Sequence, residues 1–404
     1  MKFRDYDFDL TLFLTALLLC ILGVFLIYSA KRFVPGEQGI YLKQIFWIIS
    51  GITAMGLFFT IPIRFHEIFS YFYFAIGIVS LVGLLAFGST KVGAIRWLQL
   101  GPFSLQPSEF MKIAFVLALA FHLSYSKRLI FCMKWLFFLF ILVLLPFALV
   151  LKQPDLGTSL VFLAGFLSMS FWAGFSWLYL LFLVSPLLSL VFSFNLYIWA
   201  VFFCLFLVLL YFLKPNFVFL VGSLVINTFV GLVATLIWNK LPQYQQMRIL
   251  VFLDPSMDPQ GAGYQILQSK IAIGSGGLFG KGFLHGTQTK LAFLPAQHND
   301  FVFTVMGEEF GFLGSLLLIA LFVFLILKGI AIARKARSRF SRYAAFGITS
   351  IIAFQVLVNI GMVTGLIPVT GIPLPFVSYG GSSMLTFWIM IGILLAINAR
   401  WNEY

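Results

Sequence analysis

Apolar runs of membrane-spanning length recur from one end of this chain to the other, and nothing constrains its fold more. An α-helix needs about 20 apolar residues to cross the hydrocarbon of a bilayer. Such runs are read near residues 10–30, 42–61, 69–88, 107–124, 132–150, 156–174, 177–193, 196–213, 217–238, 301–327, 344–365 and 381–398. Lipid offers no partners to backbone N–H and C=O groups, so each run is expected to be helical. The predicted class is an all-α polytopic integral membrane protein of about 10–12 transmembrane helices with a large extracytoplasmic loop. Composition agrees: 61% of the 404 residues are hydrophobic, only 10% are charged, and mean hydropathy is +1.05. Soluble domains carry about 25% charged residues. The first run, from Leu10, is long for the apolar core of a signal peptide and reads as a retained span. The region 156–238 is the hardest to divide, because links such as Ala173–Trp177 are short.

The net charge of +13 is read as cytoplasmic loops facing anionic membrane lipids, with no nucleic-acid partner. Lys328–Arg342 carries six basic residues and no acid, which places it on the cytoplasmic side. The Ser126–Lys134 link follows it there. Both termini then fall inside, and segments 31–41, 89–106, 151–155, 239–300 and 366–380 fall outside. Lys31, Arg32, Lys91, Arg96 and Lys152 lie in those outer segments against the usual charge asymmetry, which invites a functional reading. Cys20, Cys132 and Cys204 lack metal-ligand spacing and read as free structural thiols; no metal site is assigned.

One stretch breaks the helical pattern where it meets the bilayer. Asn359–Ser383 holds Pro368, Pro373 and Pro375 together with Gly361, Gly365, Gly371, Gly380 and Gly381. Irregular backbone at membrane depth has to be buried in protein or line a polar cavity. The stretch therefore reads as a wall of an outward cavity, or else as a tight turn between two helices.

Four polar clusters gather at the outer ends of spans. In Gln106–Lys112, Glu109 and Lys112 share a helix face and can pair, as a helix-start ion pair or as a site, and Lys112 points one turn into the membrane. In Lys152–Thr158, Asp155 suits an N-cap as well as a site role. In Leu253–Tyr264 two Asp-Pro pairs start helices, Gly261 and Gly263 admit close approach of a ligand, and Asp258 is a candidate general base. In Leu294–Phe301, His298 is either a pH-sensitive ligand group or a hydrogen-bonded structural residue, and Glu308 and Glu309 follow about two turns inside the next span. Lys240, Arg248, Lys270, Lys281 and Lys290 add cations from the 239–300 loop, as solvated charge or as part of an anion site that includes Arg96 and Lys152. Within that loop, Tyr264–Ile273 has helical spacing and lies in the interface or re-enters. GSGGLFGKG (Gly274–Gly282) is rich in glycine, but its lysine is followed by Gly282 rather than Ser or Thr, so it is not a phosphate-binding P-loop.

LQPSEFMK, QPDLGTS, DPQGAGYQILQSKIAIGSGGLFGKG, LPAQHNDF and GLIPVTGIPLPFVSYGGSS, in this order, resemble the SEDS family of bacterial cell-wall polymerases from the first span to the C-terminus. Within it, KGFLHGTQTKLAFLP with His285–Gln288 resembles the RodA branch rather than the FtsW branch. The resemblance implies one transmembrane domain over 1–404, with the 239–300 loop carrying the catalytic aspartate, Asp258. It implies a peptidoglycan glycosyltransferase that polymerises lipid II on the outer face of the bacterial cytoplasmic membrane during elongation. A class B penicillin-binding protein is the implied partner, with lipid II as substrate and membrane lipids around it. The family's Glu-x-x-Lys pair maps to Glu109 and Lys112, and the aspartate of its Gln-Pro-Asp motif to Asp155. Arg96, Lys152, Lys270, His298 and Ser378 complete the substrate-binding set. Two departures stand out: Ala296 and Asn299 replace a Glu and a Thr of the family pattern, and Phe175–Trp238 adds about two spans.

The implied reaction is attack of an acceptor sugar hydroxyl on the anomeric carbon of a donor, with lipid pyrophosphate leaving and inversion at that carbon. Asp258 is the expected base. Lys112, Arg96 and Lys152, helix N-termini or a divalent cation would take the developing charge, and no cofactor is otherwise called for. The alternatives are a lipid II flippase, a septal FtsW-type polymerase, or a scaffold that activates its penicillin-binding partner. A transporter needs polar groups reaching both faces, whereas these candidates cluster at one.

Overall fold

The computed structural model describes residues 8–32, 34, 36–87, 89–91, 94–100, 103–125, 133–193, 196–240, 246–247, 251, 262–291 and 298–401. Most of these are helical. Among the described residues, seven helices are long and apolar enough to cross a membrane: Leu10–Arg32, Ile40–Thr60, Pro107–Ser124, Leu196–Leu213, Val302–Lys335, Arg339–Val363 and Gly381–Ala399. Ser70–Ala86, Phe138–Lys152, Leu156–Trp172 and Phe219–Ala234 are shorter apolar helices among the described residues. The chain is a multi-pass membrane protein of the all-α class.

Contacts sort the helix ends into two sets. At one end, Lys328 pairs with Asp9 at 3.5 Å, and Arg339 donates to the Ser124 carbonyl at 3.4 Å. There too Arg400 donates to the carbonyls of Phe59, Thr60 and Ile61 at 3.0–3.1 Å. That guanidinium satisfies carbonyls that the end of the Ile40–Thr60 helix leaves without intrahelical partners. The other end gathers the polar clusters described below. The basic segment Lys328–Arg342, read as a link, is mostly helical, broken only around Ala336–Ser338. Lys and Arg favour helix and suit the negative C-terminal end of its dipole, and the Ser338 hydroxyl caps the next helix by accepting from the Ser341 N–H at 3.0 Å.

Helix Gly381–Ala399 is the centre of the bundle, buried along nearly its whole length and packed chiefly on Ile40–Thr60. Helices Trp177–Phe192, Leu196–Leu213 and Phe217–Lys240 form a group that adjoins the rest through Leu156–Trp172. A polar seam holds this group together: Asn227 donates to Ser185 at 2.9 Å, and Ser189 and Trp199 continue the chain of hydrogen bonds. In hydrocarbon such interhelical bonds replace the hydrophobic drive that lipid removes.

Two features depart from straight helices. The 89–106 link forms an antiparallel three-stranded sheet of Ser89–Lys91, Ala94–Leu100 and Phe103–Leu105, with Leu98 opposite Leu105. Its ladder satisfies backbone that would otherwise be costly beside lipid. Helix Val302–Lys335 breaks at Gly311, where φ is +66° and ψ is −157°, a region essentially restricted to glycine. The segment 276–282 docks on this break. Lys281 and Gly282 N–H groups donate to the carbonyls of Glu308 and Glu309, while Phe312 and Leu313 N–H groups donate to Gly277 and Leu278, all at 2.9–3.1 Å. The glycines of GSGGLFGKG thus let backbone meet backbone; a Cβ on Gly311 would lie 2.3 Å from the Gly280 nitrogen.

Candidate functional site

Helix Pro107–Ser124 starts with Pro at its first position, where a missing N–H costs nothing. One turn in, Glu109 and Lys112 form an ion pair at 2.7 Å with almost no exposed surface. The Lys112 ammonium also lies 5.4 Å from the Phe387 ring, a cation–π contact within the core. Just before the helix, the Gln106 N–H donates to Ser382 Oγ at 2.9 Å and its amide donates to Asp155 at 3.2 Å. Asp155 is buried and caps helix Leu156–Trp172, accepting from the Thr158 N–H at 3.2 Å and its hydroxyl at 3.0 Å. Arg96, on the middle strand, donates to the carbonyls of Gln153 and Pro154. Gly157 lies under the Thr370 carbonyl, where a Cβ would come within 2.7 Å. The first two clusters and the C-terminal motif are therefore one assembly. Lys152 stands exposed at its edge.

The broken stretch runs between the helix ends at Val363 and Gly381, and much of it is buried, including Thr370, Ile372, Leu374, Phe376 and Ser378. Its polar groups are met by neighbouring motifs. Asn359 donates to the carbonyls of Asp300 (2.9 Å) and Ile372 (2.7 Å). Ser378 donates to the Asn299 carbonyl at 2.6 Å and accepts from the Leu374 N–H at 2.8 Å. The Tyr379 N–H donates to the His298 carbonyl at 2.9 Å, and Gln44, buried in helix Ile40–Thr60, donates to the Ser378 carbonyl at 3.2 Å. The His298 side chain lies near the ion pair of Lys31 and Glu37. Burial, together with the Lys31 charge, pushes the imidazole down to about 4, and Glu37 offsets this only in part. Lys31 holds the Glu37 carboxyl below its ordinary value.

Asp258 and Asp254 lie outside the described residues, as do the Asp-Pro pairs and Pro295–Gln297. The helix that follows them, Ala262–Ser275, confirms the helical reading of Tyr264–Ile273 and packs on Val302–Lys335 and Arg339–Val363. Its Ser269 hydroxyl pairs with Thr304 at 2.7 Å and donates to the Val363 carbonyl at 2.8 Å. Lys270, exposed, lies over Gly365 at the start of the broken stretch.

Glu308 has a larger part than its sequence position indicates. It is fully buried, and its carboxylate accepts from Lys281 (2.9 Å), Thr287 (3.1 Å), the Gln288 N–H (2.9 Å), and the N–H and hydroxyl of Thr289 (3.1 and 2.8 Å). Glu309, next to it, accepts from Ser29 on the first helix. Two adjacent carboxylates in an apolar run were the available signal, since membrane-depth charges are expensive unless paired. Gln44 and Asn359, buried amides in apolar spans, are the same kind of signal.

Among the described residues no group of three or more His, Cys, Asp or Glu side chains gathers to hold a metal ion. Glu109 and Asp155 are each committed to protein partners, so these residues do not make a cation site. A cavity of about 360 Å³ opens between the Ile40–Thr60, Ser70–Phe87 and Pro107–Ser124 helices. Its walls are apolar and run from Phe58 and Tyr73 to Leu98, Leu105 and Pro107, next to Glu109.

The family model for FtsW/RodA/SpoVE, described as a cell cycle protein, matches residues 9–202 and 186–403. The peptidoglycan glycosyltransferase MrdB of Escherichia coli K12 is 38% identical over 395 residues, covering 97% of this chain and 94% of that protein. The peptidoglycan glycosyltransferase RodA of Treponema pallidum is 37% identical over 431 residues, 98% of each. A solved chain of a peptidoglycan synthase complex that coordinates polymerization and crosslinking has a TM-score of 0.75 at 30% identity, over 98% of this chain and 99% of that one.

Proposed function

The chain belongs to the FtsW/RodA/SpoVE family, and from that membership we propose that it is a peptidoglycan glycosyltransferase of the RodA type. The observation that carries this is the end-to-end similarity to glycosyltransferases, 97% of this chain against MrdB. The whole chain is one catalytic transmembrane domain, with the 239–300 loop on the outer face of the cytoplasmic membrane. Lipid II is the substrate, and a class B penicillin-binding protein supplies the crosslinking partner, by analogy with the synthase complex.

In this reading Asp258 accepts the proton of the acceptor hydroxyl as its oxygen attacks the anomeric carbon. The bond from that carbon to the pyrophosphate oxygen breaks, the configuration inverts, and lipid pyrophosphate leaves. The helix Ala262–Ser275, which follows Asp258 in sequence, is held by Ser269 to Thr304 and to the Val363 carbonyl at the start of the broken stretch. Lys152 and Lys270, both exposed at the polar end of the bundle, meet the leaving charge, with Arg96 behind them. The buried Glu109–Lys112 pair, Asp155, His298 and Ser378 act by holding the walls to which those groups are attached. The apolar cavity ending at Pro107 is shaped for the hydrocarbon of a lipid carrier.

The test is polymerisation of purified lipid II by the protein with its partner. Asp258→Asn keeps the size of the side chain and removes its basicity. A loss on the order of a hundred- to ten-thousand-fold is expected for a general base. Near-normal glycan synthesis by a correctly folded Asp258→Asn protein excludes the role.

A further inference from the structure

Glycan polymerisation joins two reactants that are both anchored to lipid pyrophosphate, and the cavity beside Pro107 accommodates one carrier chain. A second apolar groove, of about 280 Å³, lies between the first two helices. Leu17, Ile21, Val24 and Phe25 face Ile45 and Ile49 across it. It occupies a different face of the Ile40–Thr60 helix from Phe58, which lines the first cavity. Bulk lipid would cover any such groove, but three features of its upper end point to a particular occupant.

First, the helical repeat that lines the groove continues to Tyr28 and Arg32 on one side and to Tyr41 on the other. Tyr28 and Tyr41 meet edge to face at 5.2 Å and close the apolar floor. Second, the exposed Arg32 guanidinium donates to the Tyr28 hydroxyl at 2.7 Å and so stands at the mouth. It is one of the basic residues that run against the charge asymmetry of the loops. Third, the mouth adjoins the polar motifs gathered at that end of the bundle. Phe283, from the loop clasped to the helix break at Gly311, stacks on Tyr28 and meets Phe25. Lys31, next to Arg32 in sequence, pairs with Glu37 beside His298.

We propose that this groove, with Arg32 at its mouth, holds the polyprenyl-pyrophosphate anchor of the second lipid-linked reactant. The proposal rests on the glycosyltransferase reading above. Apolar wall, aromatic collar and cation follow the order of isoprenoid tail, membrane interface and pyrophosphate. An arginine fork matches phosphate oxygens better than a lysine point charge does.

The test is equilibrium binding of undecaprenyl pyrophosphate to the purified full-length protein in micelles doped with phosphatidylglycerol. The wild type is expected to bind two equivalents. Arg32→Gln should weaken one of them about ten-fold or more, the scale of a lost charge-assisted hydrogen bond, and leave the other unchanged. Val24→Trp, which fills the groove, should remove the same equivalent, and Arg32→Gln stands alone if Val24→Trp does not fold. A single equivalent in the wild type overturns the proposal. So does unchanged binding in Arg32→Gln, or displacement of the second equivalent by equimolar phosphatidylglycerol. The assay uses the product lipid and needs no turnover. Failure of the glycosyltransferase reading would instead appear as a wild-type protein that binds this lipid and makes no glycan from lipid II.

Discussion

At the scale of single residues, the site depends on buried polar groups held by protein partners. Glu308 is the clearest case, because five donors converge on one carboxylate inside the protein. Glu308→Ala leaves Lys281, Thr287 and Thr289 without it. Removing one member of a buried charged network costs about 3–5 kcal/mol. The expected result in detergent is a large drop in thermal stability, with faster proteolysis at 281–291. Unchanged stability would mean that the loop holds without its clamp. His298 gives a pH signature. Its folded value, about 4, lies below the ordinary value near 6.5. Between these two values the unfolded chain binds more protons, so stability rises with pH across the window and falls as the protein is acidified. The midpoint of thermal unfolding should drop from pH 6.5 towards 4 in the wild type and drop less in His298→Gln. Parallel curves would assign the acid sensitivity to other groups.

At the scale of elements, the break at Gly311 is the most consequential. A continuous helix would bury the Glu308 and Glu309 carbonyls in their own ladder, whereas the break offers them to the 276–282 segment. One backbone defect thereby anchors the loop that carries Lys281 and Phe283. Gly311→Ala puts a side chain into backbone geometry that costs about 1–3 kcal/mol and into contact with Gly280 and Leu278. Polymerisation per folded molecule should fall at least ten-fold. Gly56→Ala, whose added Cβ meets nothing within 4 Å, should behave as wild type. Equal activity of the two variants would show that the clasp is dispensable. The glycine content of 274–282 was visible in the sequence, but its purpose was not, because the partner is a helix about thirty residues further on.

At the scale of the whole molecule, helix ends sort into a basic set around Lys328, Arg339 and Arg400 and a set that holds the polar motifs. If the first set is cytoplasmic, a cysteine at Ser338 should be shielded from impermeant thiol reagents in intact cells, and one at His285 should be labelled. The reverse pattern would invert the topology and move the proposed site to the wrong side for lipid II. The sequence reads as about twelve spans, whereas seven described helices have crossing length. The all-helical membrane class, the Asp155 cap and the Glu109–Lys112 pair were legible in the sequence. Each of these depends on apolar run length or on neighbours within one helical turn, and both are local quantities. The convergence of Gln106, Asp155, Ser382, Asn359 and Ser378 was not legible. Nor were the three-stranded sheet, the clasp on Gly311 or the Glu308 clamp. These join residues from distant spans, and which spans meet is decided by how helices pack once lipid has removed the hydrophobic drive between them. Sequence alone determined that this chain is a membrane-spanning helical bundle with polar motifs at its helix ends. Tertiary structure decided which of those motifs satisfy one another, because each buried N–H, carbonyl and carboxylate has only the partners that packing brings within about 3 Å.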